Sequence, residues 1–318
     1  MTTMTVAIPT YNRSARLVAQ LDRLAPDVVA EGGRCRVLVS DNCSTDDTAD
    51  ALARWVAAHP EVPITVRRND ANLGVMRNIA ACARAADAEF VWILGDDDEL
   101  PPGTLRRLLG LLEAHPDLTL LSVNYSMHDV AEDIEMTPAR MMLRDDVVKT
   151  GPSPLTASDD RGVALVKMMG FMSGQVYRTT EIRRAIDAWP AFDNLDVQIF
   201  WSGFCAAQGT TLVKAEPFLR YDCGTNALAK PRVWYRTHVI DNAWVFLRLR
   251  RIGYPVDLCR SGILSAVDTR HELRHTLSGV LRWPLLGLKA FAVLAFTAAA
   301  VHLPGRAGAE RAAIASAA

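Results

Sequence analysis

The chain has 318 residues, half of them hydrophobic, and its formal net charge is -1 at pH 7. This length and composition allow a sizeable core in one large or two small domains, and the nearly neutral charge argues against a nucleic acid partner. The six cysteines show neither a Cys-x-x-Cys pair nor a histidine grouping at zinc spacing, which predicts reduced thiols, as in the cytoplasm. We expect no signal peptide, because neither a basic segment nor a long apolar run opens the chain.

Strands and helices alternate through the first part of the chain. Short β-favouring runs at residues 5–10, 36–40, 64–66 and 90–94 predict four strands. Segments with apolar residues at helical spacing follow the first three runs, and a leucine-rich helix over residues 105–112 follows the fourth. This alternation predicts an α/β fold with a doubly wound, mostly parallel sheet flanked by helices. Ligands of such sheets bind beyond the carboxyl ends of the strands.

A run of carboxylates ends the fourth predicted strand. Gly95 is followed by Asp96, Asp97, Asp98 and Glu99. Adjacent carboxylates repel each other and are costly to desolvate, so their position after a buried strand favours a cation that holds them together. Mg²⁺ or Mn²⁺ takes oxygen ligands and completes its shell with substrate phosphates. Asp96 and Asp98 share one side of an extended chain and fit this role, and a solvated acidic turn is the alternative.

Four motifs at predicted strand ends resemble, in their order and spacing, the family 2 glycosyltransferases of GT-A fold. They are Ile-Pro-Thr-Tyr-Asn-Arg at residues 8–13, Asp-Asn-Cys-Ser-Thr-Asp at residues 41–46, Asn-Leu-Gly at residues 72–74 with Asn78, and Asp-Asp-Asp at residues 96–98. Each motif is weak alone, but the set is specific. The resemblance implies an inverting, Mg²⁺- or Mn²⁺-dependent enzyme that moves a sugar from a nucleotide-sugar donor to a saccharide or lipid-linked acceptor.

The resemblance assigns the nucleobase to the loop after the first strand and to the acidic residue that ends the second strand. Pro9, Tyr11, Arg13 and Asp41 are the candidates in this chain. Tyr11 offers a face for stacking, and Asp41 offers an acceptor for a base N–H. The alternatives are that Tyr11 packs in the core and that Asp41 is only the neighbour of a helix cap.

The resemblance also implies residues near the diphosphate. Asn72 lies in the Asn-Leu-Gly turn, and Arg77 follows where family members often have an Arg-Asn pair. The spacing here is shorter than the usual pattern, so a solvated surface arginine is the alternative for Arg77. The resemblance implies that Asp96 and Asp97 bind the nucleotide-sugar and that Asp96 and Asp98 are the metal ligands. An ion there neutralises charge as the diphosphate leaves.

The catalytic base of inverting family members is usually the aspartate of a Glu-Asp pair. Asp196 is the best match in this chain, and Asp193 is the second. The sequence Asn-Leu-Asp at residues 194–196 lacks the glutamate, but a single carboxylate within reach of the acceptor hydroxyl is enough. The alternative for both aspartates is capping of the helix that follows.

The sequence also predicts how the chain is divided between donor binding, acceptor binding and a helical region. We expect residues 1–125 to bind the nucleotide-sugar, residues 126–225 to bind the acceptor, and residues 226–280 to be helical. Residues 124–158 break the pattern and predict either an acceptor-side flap or a disordered insertion. Beyond this segment the patterns predict strand-like pieces at residues 172–178, 211–213 and 217–221 and helices from residues 181 and 195.

Residues 281–318 form an apolar tail, in which residues 285–303 are nearly all apolar. A bilayer span takes about 20 apolar residues, so a transmembrane helix, an interfacial helix and a helix buried against a partner are all open. Arg282, Trp283 and Lys289 suit a membrane interface. We therefore expect association with the cytoplasmic face of a membrane, beside a lipid-linked acceptor.

Two other functions fit a nucleotide-binding α/β chain. A nucleotidyltransferase also carries acidic metal ligands, but it commonly opens with a glycine-rich phosphate loop, which residues 8–11 lack. An inactive binding scaffold keeps the fold without the reaction. The missing glutamate before Asp196 favours the scaffold, and the intact Asp96 and Asp98 oppose it.

Overall fold

The computed structural model describes residues 2–130, 132–140, 143–155, 166–167, 169–223 and 230–303. Its nine strands form one sheet. They are β1 (Met4–Thr10), β2 (Cys35–Asp41), β3 (Ile64–Arg68), β4 (Phe90–Ile93), β5 (Leu118–Asp129), β6 (Ile134–Thr137), β7 (Val147–Lys149), β8 (Gln175–Arg178) and β9 (Thr210–Cys223).

The helices of the described residues flank this sheet and then form the C-terminal part of the chain. Those beside the sheet are α1 (Ser14–Ala30), α2 (Thr48–Ala58), α3 (Val75–Ala85), α4 (Thr104–Ala114), α5 (Thr179–Ala188) and α6 (Val197–Gln208). Those that follow are α7 (Pro231–Arg236), a π-helical turn (Thr237–Asp241), α8 (Asn242–Arg251), α9 (Val256–Leu264), α10 (Arg270–Arg282) and α11 (Pro284–Ala300).

The sheet changes direction of winding at β1. The strand order is β3-β2-β1-β4-β8-β5-β9-β7, with β6 paired to β5. β1 pairs in parallel with β2 and β4, and β2 pairs in parallel with β3. The chain passes from β1 outward to β3 and then returns to the other side of β1 for β4. The connections therefore diverge between β1 and β4, where open α/β sheets bind ligands.

The core lies on both faces of the sheet, because alternate residues of each buried strand point to opposite faces. In β1, Met4, Val6 and Ile8 pack in a cluster with the leucines of α1 and α4. Ala7 belongs to the opposite cluster, with α3, α5 and α6. The doubly wound α/β fold with a mostly parallel sheet is thus confirmed, and the helices predicted after each of the first strands are present.

The second half of the sheet is more regular than the sequence pattern predicts. The segment 124–158 contains the end of β5 together with β6 and β7, and its residues 156–158 lie outside the described residues. The pieces predicted at residues 211–213 and 217–221 form the single strand β9, which pairs with β5 through register shifts. Irregular pairing accommodates Pro217 within this strand.

The C-terminal helices pack closely on one another. An added Cβ at Gly279 would lie 2.0 Å from Cε2 of Tyr235, and one at Gly287 would lie 2.5 Å from Cα of Val280. Glycine at these positions therefore allows α10 to approach α7 and α11. No helix in the described residues is long and apolar enough to cross a membrane. Residues 304–318 of the predicted tail, and the expected boundary at residue 225, lie outside the described residues.

Candidate functional site

A pocket lies at the carboxyl ends of β1, β2 and β4. Its volume is about 460 Å³, within the range of small-molecule sites. Loops after the parallel strands supply most of the lining, and the second half of the chain supplies the rest. The lining residues are Pro9, Thr10, Tyr11, Arg13, Asn42, Asn72, Gly74, Val75, Asn78, Gly95, Asp96, Asp97, Met172 and Tyr221.

Hydrogen bonds join the loop after β1 to the loop after β2. The backbone N–H of Asn12 donates to Ser44 Oγ at 2.9 Å, and the N–H of Thr45 donates to Asn12 Oδ1 at 2.8 Å. Asn12 is left-handed, with φ of 53°, a conformation that asparagine tolerates well. The adjacent Tyr11 lines the pocket and is 39% exposed. Tyr11 is therefore not a core residue.

Asp41 ends β2 as a buried carboxylate whose two oxygens have different partners. Its Oδ1 accepts hydrogen bonds from the backbone N–H and the hydroxyl of Ser44. Its Oδ2 accepts no hydrogen bond from the described residues and lies 3.3 Å from Nη1 of Arg68. Because a buried acceptor without a hydrogen bond is costly, this oxygen is suited to receive an N–H from a ligand.

A network of asparagines shapes the pocket beside Asp41. Asn42 Nδ2 donates to Asn72 Oδ1 at 2.9 Å, and Asn42 Oδ1 accepts from Asn69 Nδ2 and from the N–H of Leu73, both at 3.0 Å. Asn69 Nδ2 also donates to Asn78 Oδ1 at 2.9 Å. These bonds hold the turn before α3 against the end of β2. The predicted Asn72 is thus a wall residue whose amide oxygen is already engaged.

Arg13 and Thr10 bind the first carboxylate of the acidic run. Thr10 Oγ1 donates to Asp96 Oδ2 at 2.7 Å, and Arg13 Nη1 donates to Asp96 Oδ1 at 2.8 Å. The same guanidinium donates to Asp97 Oδ2 at 2.7 Å, and Arg16 Nη1 reaches that oxygen at 3.0 Å. Burial raises the pKa of Asp96 despite the nearby positive charge of Arg13.

Asp98 lies deeper than the other two carboxylates. It accepts a hydrogen bond from the hydroxyl of Ser173, which in turn accepts from the N–H of Gly95 at 2.9 Å. Burial raises the pKa of Asp98 to about 7; the Ser173 hydroxyl opposes this shift, and Asp97 and Asp96 add to it. The ionised form of this carboxylate therefore lacks sufficient compensation from its main neighbours.

The chemistry and burial of Asp96 and Asp98 fit a divalent cation. Their exposed fractions are 4% and 3%, whereas Asp97 is partly exposed, so the solvated-turn alternative is wrong for Asp96 and Asp98. Among the described residues, no three His, Cys, Asp or Glu side chains are grouped so that they could hold a metal by themselves. A cation held by Asp96 and Asp98 would thus need further oxygen ligands, such as those of a diphosphate.

Arg77 contacts the loop that precedes α6. Its Nη1 lies 3.6 Å from Oδ1 of Asp193, and its guanidinium lies 5.3 Å from the centre of the Phe192 ring. Arg77 is not part of the pocket lining, although its neighbour Asn78 is. Asp193 is exposed. Two predicted site residues therefore pair with each other at the protein surface.

Asp196 stands immediately before α6, but its side chain makes no capping hydrogen bond. The capping alternative is therefore wrong for Asp196. Its Oδ2 accepts from Asn242 Nδ2 at 3.4 Å. Burial raises its pKa to about 7, the charge of Asp241 adds to the shift, and Asn242 and Lys167 oppose it. A carboxylate with such a pKa is well tuned to accept a proton near neutral pH.

The structure gathers some of the predicted residues and leaves others apart. Those in the pocket lining are Pro9, Tyr11, Arg13, Asn72, Asp96 and Asp97, whereas Asp41, Arg77, Asp98, Asp193 and Asp196 are not lining residues. Asp41 and Asp98 are the sequence neighbours of the lining residues Asn42 and Asp97.

Sequence reasoning assigned no role to several residues that shape this site. Thr10 and Asn42 lie within the first two motifs, so closer attention to those motifs would have found them. Ser173 and Tyr221 carry no comparable signal. They reach the site only because β8 and β9 belong to the same sheet as β1 and β4.

Comparison with known proteins gives a family match. Residues 5–156 match the family model described as glycosyl transferase family 2. Over 139 residues the chain is 33% identical to the abequosyltransferase RfbV of Salmonella typhimurium, and this match covers 44% of this chain and 40% of that protein. Over 164 residues it is 25% identical to an uncharacterized glycosyltransferase of Haemophilus influenzae, which covers 48% of this chain and 52% of that protein. The matches thus span about half or less of these relatives.

Solved structures share the fold over nearly the whole chain. S. aureus TarS gives a TM-score of 0.65 at 16% identity, over 93% of this chain and 81% of that chain. The mannosyltransferase PcManGT from Pyrobaculum calidifontis, solved with GDP-Man and Mn²⁺, gives a TM-score of 0.58 at 18% identity, over 98% and 86%. The family match over residues 5–156 shows that this part of the chain resembles glycosyl transferase family 2, and the solved structures show that the chain has the GT-A fold.

Proposed function

We propose that the chain is a glycosyltransferase that moves a sugar from a nucleotide-diphosphate-sugar to a hydroxyl of a saccharide or lipid-linked acceptor, in the synthesis of a cell-surface polysaccharide or glycolipid. The observation that carries this proposal is the pocket between the ends of β1 and β4, with buried carboxylates in the loop after β4. The family match over residues 5–156 supports the reaction class. TarS has been solved with UDP-GlcNAc and PcManGT with GDP-Man, which supports a nucleotide-sugar donor.

In this proposal residues 1–125 bind the donor. Tyr11 stacks on the nucleobase, and the available Oδ2 of Asp41 accepts a base N–H. Asn72 and Arg77 lie toward the diphosphate, and Asp96 and Asp98 hold Mg²⁺ or Mn²⁺. When bound, such an ion stabilises the negative charge of the departing diphosphate. The Mn²⁺ complex of PcManGT supports the choice of ion.

Residues 126–225 bind the acceptor in the same proposal. Asp196 takes the proton from the acceptor hydroxyl as its oxygen attacks the anomeric carbon, opposite the leaving nucleoside diphosphate. The new glycosidic bond forms as the bond to the diphosphate breaks, so the configuration at the anomeric carbon inverts. Asp193 is the second candidate for the base. Its exposure and its pairing with Arg77 make it less suited than Asp196 to hold a raised pKa.

A second candidate is a nucleotide-binding protein without transferase activity. Two observations favour it: Asp196 does not line the donor pocket, and Arg13 already neutralises Asp96. The buried carboxylate of Asp98 favours the enzyme, because a protein that only binds a nucleotide does not need a second metal ligand. The family match favours the glycosyltransferase and the inactive nucleotide-binding protein over a nucleotidyltransferase.

The experiment is a transfer and hydrolysis assay across UDP-, GDP-, CDP- and dTDP-sugars, with Mn²⁺, Mg²⁺ or a chelator, and with nucleotide binding measured in parallel. We expect turnover of one donor class only with metal, loss of turnover in Asp98→Ala, and retained binding without transfer in Asp196→Asn. Asp87→Asn is the matched control, because Asp87 lies exposed before β4, at the opposite end of the strand from Asp98. Binding without turnover of any donor would support the scaffold instead.

A further inference from the structure

The outer faces of α10 and α11 carry a continuous series of exposed apolar side chains. On α10 these are Leu273, Leu277 and Leu281, spaced four residues apart and therefore on one side of the helix. Leu281 and Leu285, at the junction of the two helices, are 86% and 85% exposed. We call this set, continued on α11 by Leu288 and Phe296, the apolar face. Soluble proteins rarely expose so many large apolar side chains together.

The inner faces of the same helices are packed, so the apolar face has a fixed orientation. Tyr235 lies against Gly279 of α10, and Val280 lies against Gly287 of α11. In α11 the buried side consists of Gly287, Ala290, Val293, Leu294 and Thr297. The exposed side of α11 is apolar as well, apart from Lys289. A helix that is apolar on both sides needs a second apolar environment beyond its own protein.

Positive charge borders the apolar face. The two helices contain the four cationic residues Arg270, Arg274, Arg282 and Lys289, all exposed, and the single acid Glu272. Glu272 lies on the inner side of α10, where it hydrogen-bonds with Nε2 of His238 at 3.1 Å, so the outer side carries the cations. An apolar strip bordered by arginine and lysine is complementary to a surface with an apolar interior and anionic head groups.

We propose that the apolar face docks on the surface of an anionic lipid bilayer, with α10 and α11 lying in the plane of the interface. Leu281 and Leu285 enter the acyl region, and the arginines stay among the lipid phosphates. The contact is interfacial in this proposal, because the inner sides of both helices stay packed on the protein. Removing several leucines from water supplies affinity, and the cations add an attraction that weakens with salt.

A chain of contacts connects the docking helices to the proposed base, a link whose meaning rests on the proposed function. Glu272, on the inner side of α10, meets His238 in the π-helical turn (Thr237–Asp241). The same turn ends at Asp241, whose charge acts on Asp196, and the next residue, Asn242, donates to Asp196. Asp196 is thus connected to the inner side of α10, whose outer side contacts the bilayer, so a docked molecule would hold its proposed base in the same part of the chain as the membrane contact.

The test is flotation of the full chain with vesicles of phosphatidylcholine alone or mixed with phosphatidylglycerol. We expect binding to the mixed vesicles, weakened by salt, and a loss of about tenfold or more in the double variant Leu281→Glu/Leu285→Glu. The double variant Arg274→Gln/Arg282→Gln should lose the additional binding that phosphatidylglycerol gives, and its binding to phosphatidylcholine alone should not change. Val29→Glu is the control, since Val29 is an exposed apolar residue on α1, outside the apolar face.

Nucleotide affinity and thermal stability of each variant separate docking from misfolding, and Leu281→Ala provides a milder change if the double variant is unstable. These readouts do not require transfer, so docking and the proposed reaction fail independently. Wild type that stays with the aqueous phase would overturn the proposal. So would a dimer in solution that Leu281→Glu/Leu285→Glu dissociates, because a second copy would then cover the apolar face.

Discussion

The guanidinium of Arg13 donates to Asp96 Oδ1 at 2.8 Å and to Asp97 Oδ2 at 2.7 Å. One side chain from the loop after β1 therefore neutralises two of the three carboxylates after β4. It also occupies an oxygen that the proposed cation would use. Binding of a metal at Asp96 and Asp98 thus competes with Arg13, and Arg13 becomes available to a bound diphosphate once it is displaced.

Replacing Arg13 should have opposite effects on stability and on metal binding. Arg13→Gln leaves Asp96 with Thr10 as its main partner, so we expect the free energy of unfolding to fall by about 1–3 kcal/mol. Without nucleotide, Mn²⁺ should bind more tightly because the competing cation is gone. Calorimetric titration with Mn²⁺ and chemical denaturation measure the two quantities.

Arg16→Gln is the matched control for this pair of effects. Arg16 is more exposed than Arg13 and contacts Asp97 alone, so both changes should be small. Equal Mn²⁺ affinity in wild type and Arg13→Gln would show that the cation does not use Asp96.

Gly95→Ala should disturb Asp98 without touching any other motif. An added Cβ at Gly95 would lie 2.5 Å from Asp98 Oδ2, whose position is held by Ser173. We expect a destabilisation of about 1–3 kcal/mol and the loss of metal-dependent transfer with nucleobase contacts intact. Gly110→Ala is the control, because nothing lies within 4 Å of its added Cβ and alanine favours the helix. Unchanged turnover in Gly95→Ala would exclude Asp98 from the reaction.

The rate of transfer should depend on the ionisation of Asp196. Burial and then the charge of Asp241 hold its pKa at about 7, and only the ionised form accepts a proton. The transfer rate should therefore rise with pH through a midpoint of about 7 and then reach a plateau. Asp241→Asn removes the second carboxylate and should move the midpoint to lower pH. A profile of kcat/KM against pH measures this shift, and a midpoint that does not move would assign the titration to another group.

The raised pKa of Asp196 also affects stability: the transfer rate should rise with pH, whereas the contribution of Asp196 to the free energy of unfolding should fall. In the unfolded chain Asp196 loses its proton near the ordinary value of 3.8, whereas the folded chain retains it up to about 7. The folded state binds more protons between these values, so the contribution of Asp196 to the free energy of unfolding decreases as the pH rises through this window. Asp196→Asn should therefore be more stable than wild type above neutral pH and similar below about pH 4. Denaturation curves at several pH values test this, and a constant difference would contradict it.

Asp41→Asn should weaken nucleotide binding selectively. The Oδ2 atom accepts no hydrogen bond from the described residues and is buried, so its main use in the proposal is to accept a base N–H. Loss of a hydrogen bond to a charged acceptor weakens binding by about 10–100-fold. Titration with free nucleoside diphosphates measures the change. Asp70→Asn, in the exposed loop after β3, should bind like wild type, and an equal loss in both variants would contradict a specific role for Asp41.

Local sequence patterns were enough to predict the first four strands, the helices between them and the motifs at their ends. A buried strand needs an apolar run and a helix needs a 3.6-residue period, and both are properties of neighbouring residues. The same reasoning missed the continuity of β9, because Pro217 interrupts the pattern locally while pairing with β5 sustains the strand. The sequence pattern of residues 124–158 did not predict β6, which pairs with the adjacent end of β5, or β7, whose partner β9 is more than 60 residues away in the chain.

The sequence by itself determined the order of the elements and placed carboxylates and asparagines at the ends of parallel strands, because these depend on short-range spacing. Only the tertiary structure decided that Ser173 would bind Asp98, that Arg13 would bridge Asp96 and Asp97, and that leucines of α10 would face outward. The environment of Asp196 was also a tertiary outcome, since Asn242 is 46 residues away in the chain. Burial, charge and hydrogen bonding at a site are set by which distant segments meet there, and residue types in sequence do not specify that meeting.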